Sequence, residues 1–392
     1  MKSYPLLLVT ALLLFSCTSD PNRPDALLED ALDFAATQLE KTVIAVNDST
    51  KFPRTTDENN QWISKPARDW TAGFFPGALW LMYEATNKAQ WKEWAEKWTA
   101  GMYDQQFNDG THDTGFMMYC SYGNGYRLAP KEDYKKVLLQ TAETLCRRFN
   151  PVVGCIKSWD WMKPVEEFPY PVIIDNMMNL ELLFWATKAG GDQKYDDIAV
   201  KHADTTLKNH IRENNSTWHV LQYDPETGAV LKKHTHQGYA DESAWARGQA
   251  WGLYGYTVCY RETGEKRFLD TAKALANFFI DNLPEDFVPY WDFDAPDIPD
   301  EERDTSAGAI AASALLELST FCDVDEKDKY WNAGVQTLKS LAGPNYLAKG
   351  TDNPAILLHA VGSKPGNSEI DVPLIYGDYY FIEGLLRYKS LK

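Results

Sequence analysis

A chain of 392 residues with 44% apolar and 13% aromatic side chains can bury one large core or two ordinary ones. Its formal charge of −17 and the lack of a basic stripe exclude nucleic acid and anionic membranes as general partners, but leave room for a small anion held by a few local cations. No GxSxG, P-loop, strand-borne GxGxxG or HExxH occurs, which removes the usual serine-hydrolase, nucleotide and zinc-protease chemistries.

The chain opens as a targeting segment. Lys2 precedes an apolar run at 4–15, too short for an ordinary membrane helix, and Leu14-Phe15-Ser16-Cys17 follows the apolar-x-small-Cys pattern of a bacterial lipoprotein box. The expectation is a signal peptide at 1–16, lipidation at Cys17 and a polar spacer at 18–23, with plain secretion as the alternative. The mature domain at 17–392 is then expected in the periplasm or cell envelope, on the membrane only through its lipid. Five further cysteines follow no metal or redox spacing, and Cys146 and Cys155 are near enough in sequence to bridge or to stay free.

Helical periodicity dominates the rest. Twelve helices are predicted near 25–45, 71–87, 89–106, 113–127, 132–149, 175–189, 193–213, 243–262, 265–282, 305–321, 326–343 and 373–390. Half are amphipathic; the others are nearly free of charge and rich in small and aromatic residues, as buried helices are. The charge-free set recurs behind an acid: Asp69, Asp113, Asp175, Asp241, Asp304 and Asp371, at separations of 44, 62, 66, 63 and 67 residues. Each interval holds one buried helix and one outer helix. The pattern predicts an all-α chain folded as one (α/α)6 barrel of six inner and six outer helices, with the acids at one end. Alternating segments at 217–223 and 228–233, joined through Asp224-Pro225-Glu226-Thr227-Gly228, predict a small β-hairpin reaching over that end.

Each acid can be read as a helix cap, since a carboxylate satisfies the orphan N–H groups of a first turn. Asp175 also suits proton transfer: Pro169 and Pro171 force an extended approach, and the helix behind it is apolar on most faces. Asp113, with His112 directly before it, is consistent with binding hydroxyls or holding a proton. His219, Gln237, Arg247 and Trp251 cluster around the hairpin and the fourth inner helix, where Arg247 and Trp251 share a helix face and suit the carboxylate and ring of an acidic sugar. Trp70, Trp159 and Trp161 read as core or as sugar platforms. His234 and His236 lack an evident third metal ligand, so no metal or other cofactor is expected. The 362–368 loop, which carries Lys364, reads as a contact to a second sugar or its sulfate, or as a solvated loop.

Several of these segments together resemble the unsaturated glucuronyl hydrolases, glycoside hydrolase family 88. They are Trp70-Thr71-Ala72-Gly73-Phe74-Phe75-Pro76-Gly77, His112-Asp113 with Gly115-Phe116-Met117, and Ile173-Ile174-Asp175-Asn176-Met177-Met178-Asn179-Leu180. His236-Gln237-Gly238, Trp245-Ala246-Arg247-Gly248-Gln249-Ala250-Trp251-Gly252 and Tyr376-Gly377-Asp378-Tyr379-Tyr380 complete the set. The resemblance implies an (α/α)6 barrel and a hydrolase that removes a 4,5-unsaturated uronic acid from the non-reducing end of lyase-generated oligosaccharides, glycosaminoglycan fragments foremost. The C4=C5 bond is hydrated, with Asp175 as the acid and base and Asp113 as its partner. It implies that His219, Gln237, Arg247 and Trp251 hold the uronate, with His112 beside them, and that Trp70 and Trp159 stack on sugars. A polysaccharide lyase is the implied upstream partner. The alternatives are an unsaturated rhamnogalacturonyl hydrolase and a non-catalytic glycan-binding lipoprotein.

Overall fold

The computed structural model describes residues 24–160 and 169–392; the leader, Cys17, Trp161 and Phe168 lie outside them. Charge-free stretches form the inner wall. They are α2 (Phe74–Thr86), α4 (Thr114–Met118) running through a π-helical turn (Tyr119–Gly123) into α5 (Asn124–Leu128), a 3₁₀ segment (Ile174–Asn179) running into α7 (Leu180–Lys188), α9 (Ala246–Thr263), α11 (Thr305–Ser319) and α13 (Ile375–Leu391). Most of their side chains are buried on every face, since they meet neighbours in the wall, the barrel interior and the outer layer.

The one-sided helices lie outside: α1 (Pro24–Val46), α3 (Ala89–Ala100), α6 (Glu132–Cys146), α8 (Lys194–His210), α10 (Lys266–Asp281) and α12 (Val324–Leu341). Each inner segment packs on the next, and α13 returns to α2, closing the ring. The chain is an (α/α)6 barrel, as the six-fold recurrence predicts. Small residues permit close approach: a Cβ on Gly115 would stand 2.5 Å from the Asn179 Cα, so glycine there lets α4 press against the 3₁₀ segment. The Asn179 side chain fixes that contact by accepting from the Phe116 N–H at 2.9 Å.

The strand content exceeds one hairpin. The predicted pair forms as β6 (Val220–Tyr223) and β7 (Val230–His234), but a third strand, β5 (Pro171–Ile173), pairs antiparallel with β6. Two smaller antiparallel pairs, β1 (Phe52–Thr56) with β2 (Trp62–Lys65) and β3 (Phe149–Asn150) with β4 (Cys155–Ile156), were also absent from the prediction. β5 is short and opens on Pro171, so its local pattern reads only as extended chain.

The capping reading holds for one acid of the six. Asp304 accepts from the Ser306 and Ala307 N–H groups as the cap of α11. Asp113 occupies the cap position of α4 without a side-chain cap bond. Asp175 lies inside the 3₁₀ segment, whose cap residue is Ile173. Asp69 takes Arg54 and Thr71, Asp241 accepts the Thr235 N–H, and Asp371 meets His359 Nδ1. An acid at a helix entrance is free to turn toward other partners, and five of these do. Cys146 and Cys155 are unbridged thiols.

Candidate active site

A cavity of about 430 Å³ opens where the inner helices begin, and Asp69, Asp113 and Asp175 all line it. Trp70, Trp159, His236, Gln237, Arg247 and Tyr376 are also in its wall. β5 delivers Asp175: Val172 and Ile173 pair with β6, Ile174 N–H donates to the His219 carbonyl, and the chain then tightens into the 3₁₀ turn. Asn176 anchors that turn by donating to the Ile156 carbonyl at 2.7 Å.

Asp175 is 8% exposed. Burial raises its pKa to about 7, the largest effect. Arg247 pulls the other way, as do its own backbone N–H and the Trp251 side chain, while the Asp113 charge pushes it up. The carboxyl is therefore poised to hold and release a proton near neutral pH.

His219 stands 3.7 Å from it, Nε2 to Oδ2, and neither atom has a hydrogen-bond partner among the described residues. Two backbone N–H groups, of His236 and Gln237, donate to His219 Nδ1 at 3.2 and 3.3 Å. That nitrogen must offer a lone pair, and burial holds the ring well below the usual histidine range, so the ring is neutral with its proton on Nε2, aimed at Asp175. Trp245 stacks against the ring, 4.4 Å between centroids.

The expected ligand set divides in two. Trp70, Trp159, Gln237 and Arg247 are on the cavity wall. His112, His219 and Trp251 are not: all three are buried behind it, His112 against Asp113 and the other two against Asp175. The structure thus places these three one layer behind the expected sugar contacts. Trp251 is among the largest fully buried side chains and packs on Phe116 and Tyr380, so its indole is core with one polar edge.

Arg247 is more committed than its helix position suggests. Its guanidinium donates to Asp304 at 2.7 Å and to the carbonyls of Val361 and Gly362. It therefore ties the loop after α12 to the wall and gives Asp175 a positive neighbour. Gln237 donates to the same Gly362 carbonyl at 3.0 Å. Ser363 and Ser368 of that loop line the cavity, but Lys364 turns to Glu301 and Glu302, so the loop's cation is already paired. His234 and His236 diverge, the first toward Gln222 and the second toward Trp159.

Two wall residues escape sequence reasoning. Arg54 grips Glu369 through Nε and Nη2 at 2.6 and 2.7 Å and Asp69 through Nη1, joining segments 315 positions apart. Tyr376 packs against Trp70 at 5.0 Å. The Tyr376-Gly377-Asp378 motif was a signal for the second; nothing local marks the first. A second cavity of similar volume lies at the other end of the barrel, where Arg261 and Arg387 are paired with Glu181, Glu262, Glu317 and Glu383.

An (α/α)6 barrel with Asp113 and Asp175 among the carboxyls facing one cavity, Asp175 titrating near neutrality, has the equipment of a glycosidase. The profile of Glycosyl Hydrolase Family 88 matches residues 37–289. The chain is 49% identical over 348 residues to the unsaturated glucuronyl hydrolase of Formosa agariphila, covering 88% of this chain and 86% of that protein. It is 36% identical to the unsaturated glucuronyl hydrolase of Bacillus sp. strain GL1, covering 91% and 94%. A crystal structure of an unsaturated glucuronyl hydrolase specific for heparin superposes with a TM-score of 0.89 at 44% identity, over 93% of this chain and 98% of that one. The chain belongs to glycosyl hydrolase family 88 and is a glycoside hydrolase.

Proposed function

We propose that this enzyme removes the 4,5-unsaturated uronic acid from the non-reducing end of lyase-generated oligosaccharides by hydrating the C4=C5 bond. The observation that carries the reading is Asp175: a buried carboxyl with a pKa of about 7, one oxygen without a hydrogen-bond partner among the described residues, on the wall of a cavity shared with Asp113. The relatives named above act on unsaturated glucuronyl substrates by their names, which supports the same substrate class here.

Protonated Asp175 gives its proton to C4. The electron pair of the alkene forms the new C–H bond, and the ring oxygen stabilises the cation left at C5. Water adds at C5 and returns a proton to Asp175, which regenerates the acid. The resulting hemiketal opens to a C5 ketone, and the hemiacetal at C1 then releases the second sugar as an alcohol. One water is consumed and the alkene is lost. An acid that becomes a base within one turnover works best with a pKa near ambient pH, which matches Asp175.

Other groups support that step. The neutral His219 N–H steadies the Asp175 oxygen in either protonation state, and Arg247 tempers the cost of the carboxylate. Asp113 faces the sugar hydroxyls, Gln237 and Arg247 shape the pocket for the uronate, and Trp70 and Trp159 offer ring faces. His112 and Trp251 act through the two acids.

Leu14-Phe15-Ser16-Cys17 supports export with a lipid on Cys17, and the substrate class supports a polysaccharide lyase acting upstream. Cys17→Ala then releases the protein from the membrane fraction; an unchanged distribution contradicts the anchor. The activity itself is tested by the ultraviolet absorbance of the alkene in lyase-digested hyaluronan, chondroitin and heparin. It decays with wild-type enzyme and persists with Asp175→Asn, which still binds the disaccharide. Persistence with wild-type enzyme on every such substrate overturns the reading.

A further inference from the structure

His112 is fully buried and makes two polar contacts that conflict unless a proton is added. Its Nδ1 lies 2.8 Å from the Ser158 carbonyl oxygen. A carbonyl only accepts, so Nδ1 carries a hydrogen. In a neutral ring Nε2 is then a bare lone pair; it lies 3.3 Å from Asp113 Oδ1 and has no hydrogen-bond partner among the described residues. An ionised carboxylate there would set lone pair against lone pair.

We infer that His112 and Asp113 hold one proton between them, which makes His112 a positioning residue for the reaction proposed above, on which this inference rests. The Asp113 carboxyl is fixed to receive it. Thr111 Oγ1 donates to Oδ2 at 2.7 Å and accepts the Asp113 N–H at 3.1 Å, leaving Oδ1 for the ring.

The charges around the pair keep that proton from residing wholly on the imidazole. Burial disfavours the imidazolium most. Arg148, which donates to the same Ser158 carbonyl at 3.2 Å, disfavours it too, while Asp113 and Asp160 favour it. Asp160 is itself paired with Arg148 and Lys157, and the nearby His202 is held neutral by burial.

Wherever the proton formally sits, the pair is neutral as a unit. Asp175 is therefore spared a second full negative charge across the cavity. Arg247 and Trp251 hold its pKa down from its own side, and sharing the proton weakens the upward push of the Asp113 charge opposite. Without His112 the Asp113 charge is undiluted, and a like charge makes the Asp175 proton harder to remove.

The test is the pH profile of kcat/KM on an unsaturated disaccharide for His112→Asn, whose amide can still donate to the Ser158 carbonyl. The alkaline midpoint moves up by roughly half a unit or more. A lower rate with an unmoved or lowered midpoint, as a purely structural role would give, overturns the proposal. A second measurement needs neither the variant nor a substrate, and so separates this proposal from the reading it rests on. In wild-type protein labelled with ¹⁵N-histidine, His112 Nε2 resonates as a hydrogen-bonded or protonated nitrogen at neutral pH. The shift of a free lone pair at that nitrogen overturns the proposal.

Discussion

His219 Nε2 lies 3.7 Å from Asp175 Oδ2, and the backbone fixes the proton of that histidine on this nitrogen. The hairpin that carries His219 therefore serves the acid carried by the inner wall. His219→Ala removes the ring N–H that stands 3.7 Å from Asp175 and leaves the Trp251 side chain as the remaining ring donor there. At 3.7 Å the pair is a polar contact and not a full hydrogen bond, so the loss in kcat/KM is expected to be roughly tenfold or less. Steady-state kinetics on an unsaturated disaccharide check this, with circular dichroism confirming the fold.

The Asp175 pKa sets two pH dependences of known sign. Catalysis starts from the protonated acid, so kcat/KM falls as pH rises through about 7. Stability follows the same group. Its folded pKa is raised above the unfolded value of 3.8, so the folded state binds more protons between those values and loses stability as pH rises from about 4 to about 7. Asp175→Asn cannot ionise. It is expected to melt above wild type at pH near 8, by a margin that shrinks toward pH 4. Thermal melts across that range check the sign.

Arg247 and Asp304 are both almost wholly buried, and their bond also anchors the loop at Gly362. Arg247→Gln leaves Asp304 without its ion partner and is expected to cost about 3 kcal/mol of stability. It also removes the main charge that lowers the Asp175 pKa, so the alkaline limb of the surviving activity moves up. Denaturant unfolding and the pH profile read the two effects separately.

Gly115→Ala puts a methyl group 2.5 Å from the Asn179 Cα, where only backbone movement can relieve it. The strain is expected to cost about 1–3 kcal/mol. It also shifts α4, and with it Asp113, relative to Asp175, so the loss in kcat is expected to exceed that of a core substitution of equal stability cost.

The barrel was legible because a helix buried on all sides must be apolar on all sides, and six such stretches recur behind six acids. The geometry of those acids was less so. Asp175 and Asp304 look alike in sequence, yet Asp304 caps α11 and Asp175 does not cap at all, because β5 delivers it into a 3₁₀ turn. A three-residue strand that opens on a proline carries no periodicity to announce it. Depth was equally hidden: i, i+4 spacing put Arg247 and Trp251 on one face, but only packing shows that Arg247 reaches the cavity wall while Trp251 lies behind it. The Arg54 clamp joins residues with no sequence proximity, so no local pattern could reveal it.

The central claim is that the enzyme attacks the alkene and leaves the anomeric carbon to collapse afterwards. Turnover in deuterated water, followed by NMR at early times, tests it most directly. The expected product is a saturated keto-uronate bearing one solvent deuterium at C4, formed in step with loss of the alkene absorbance. A released uronic acid that still holds its C4=C5 bond, with no deuterium at C4, contradicts it.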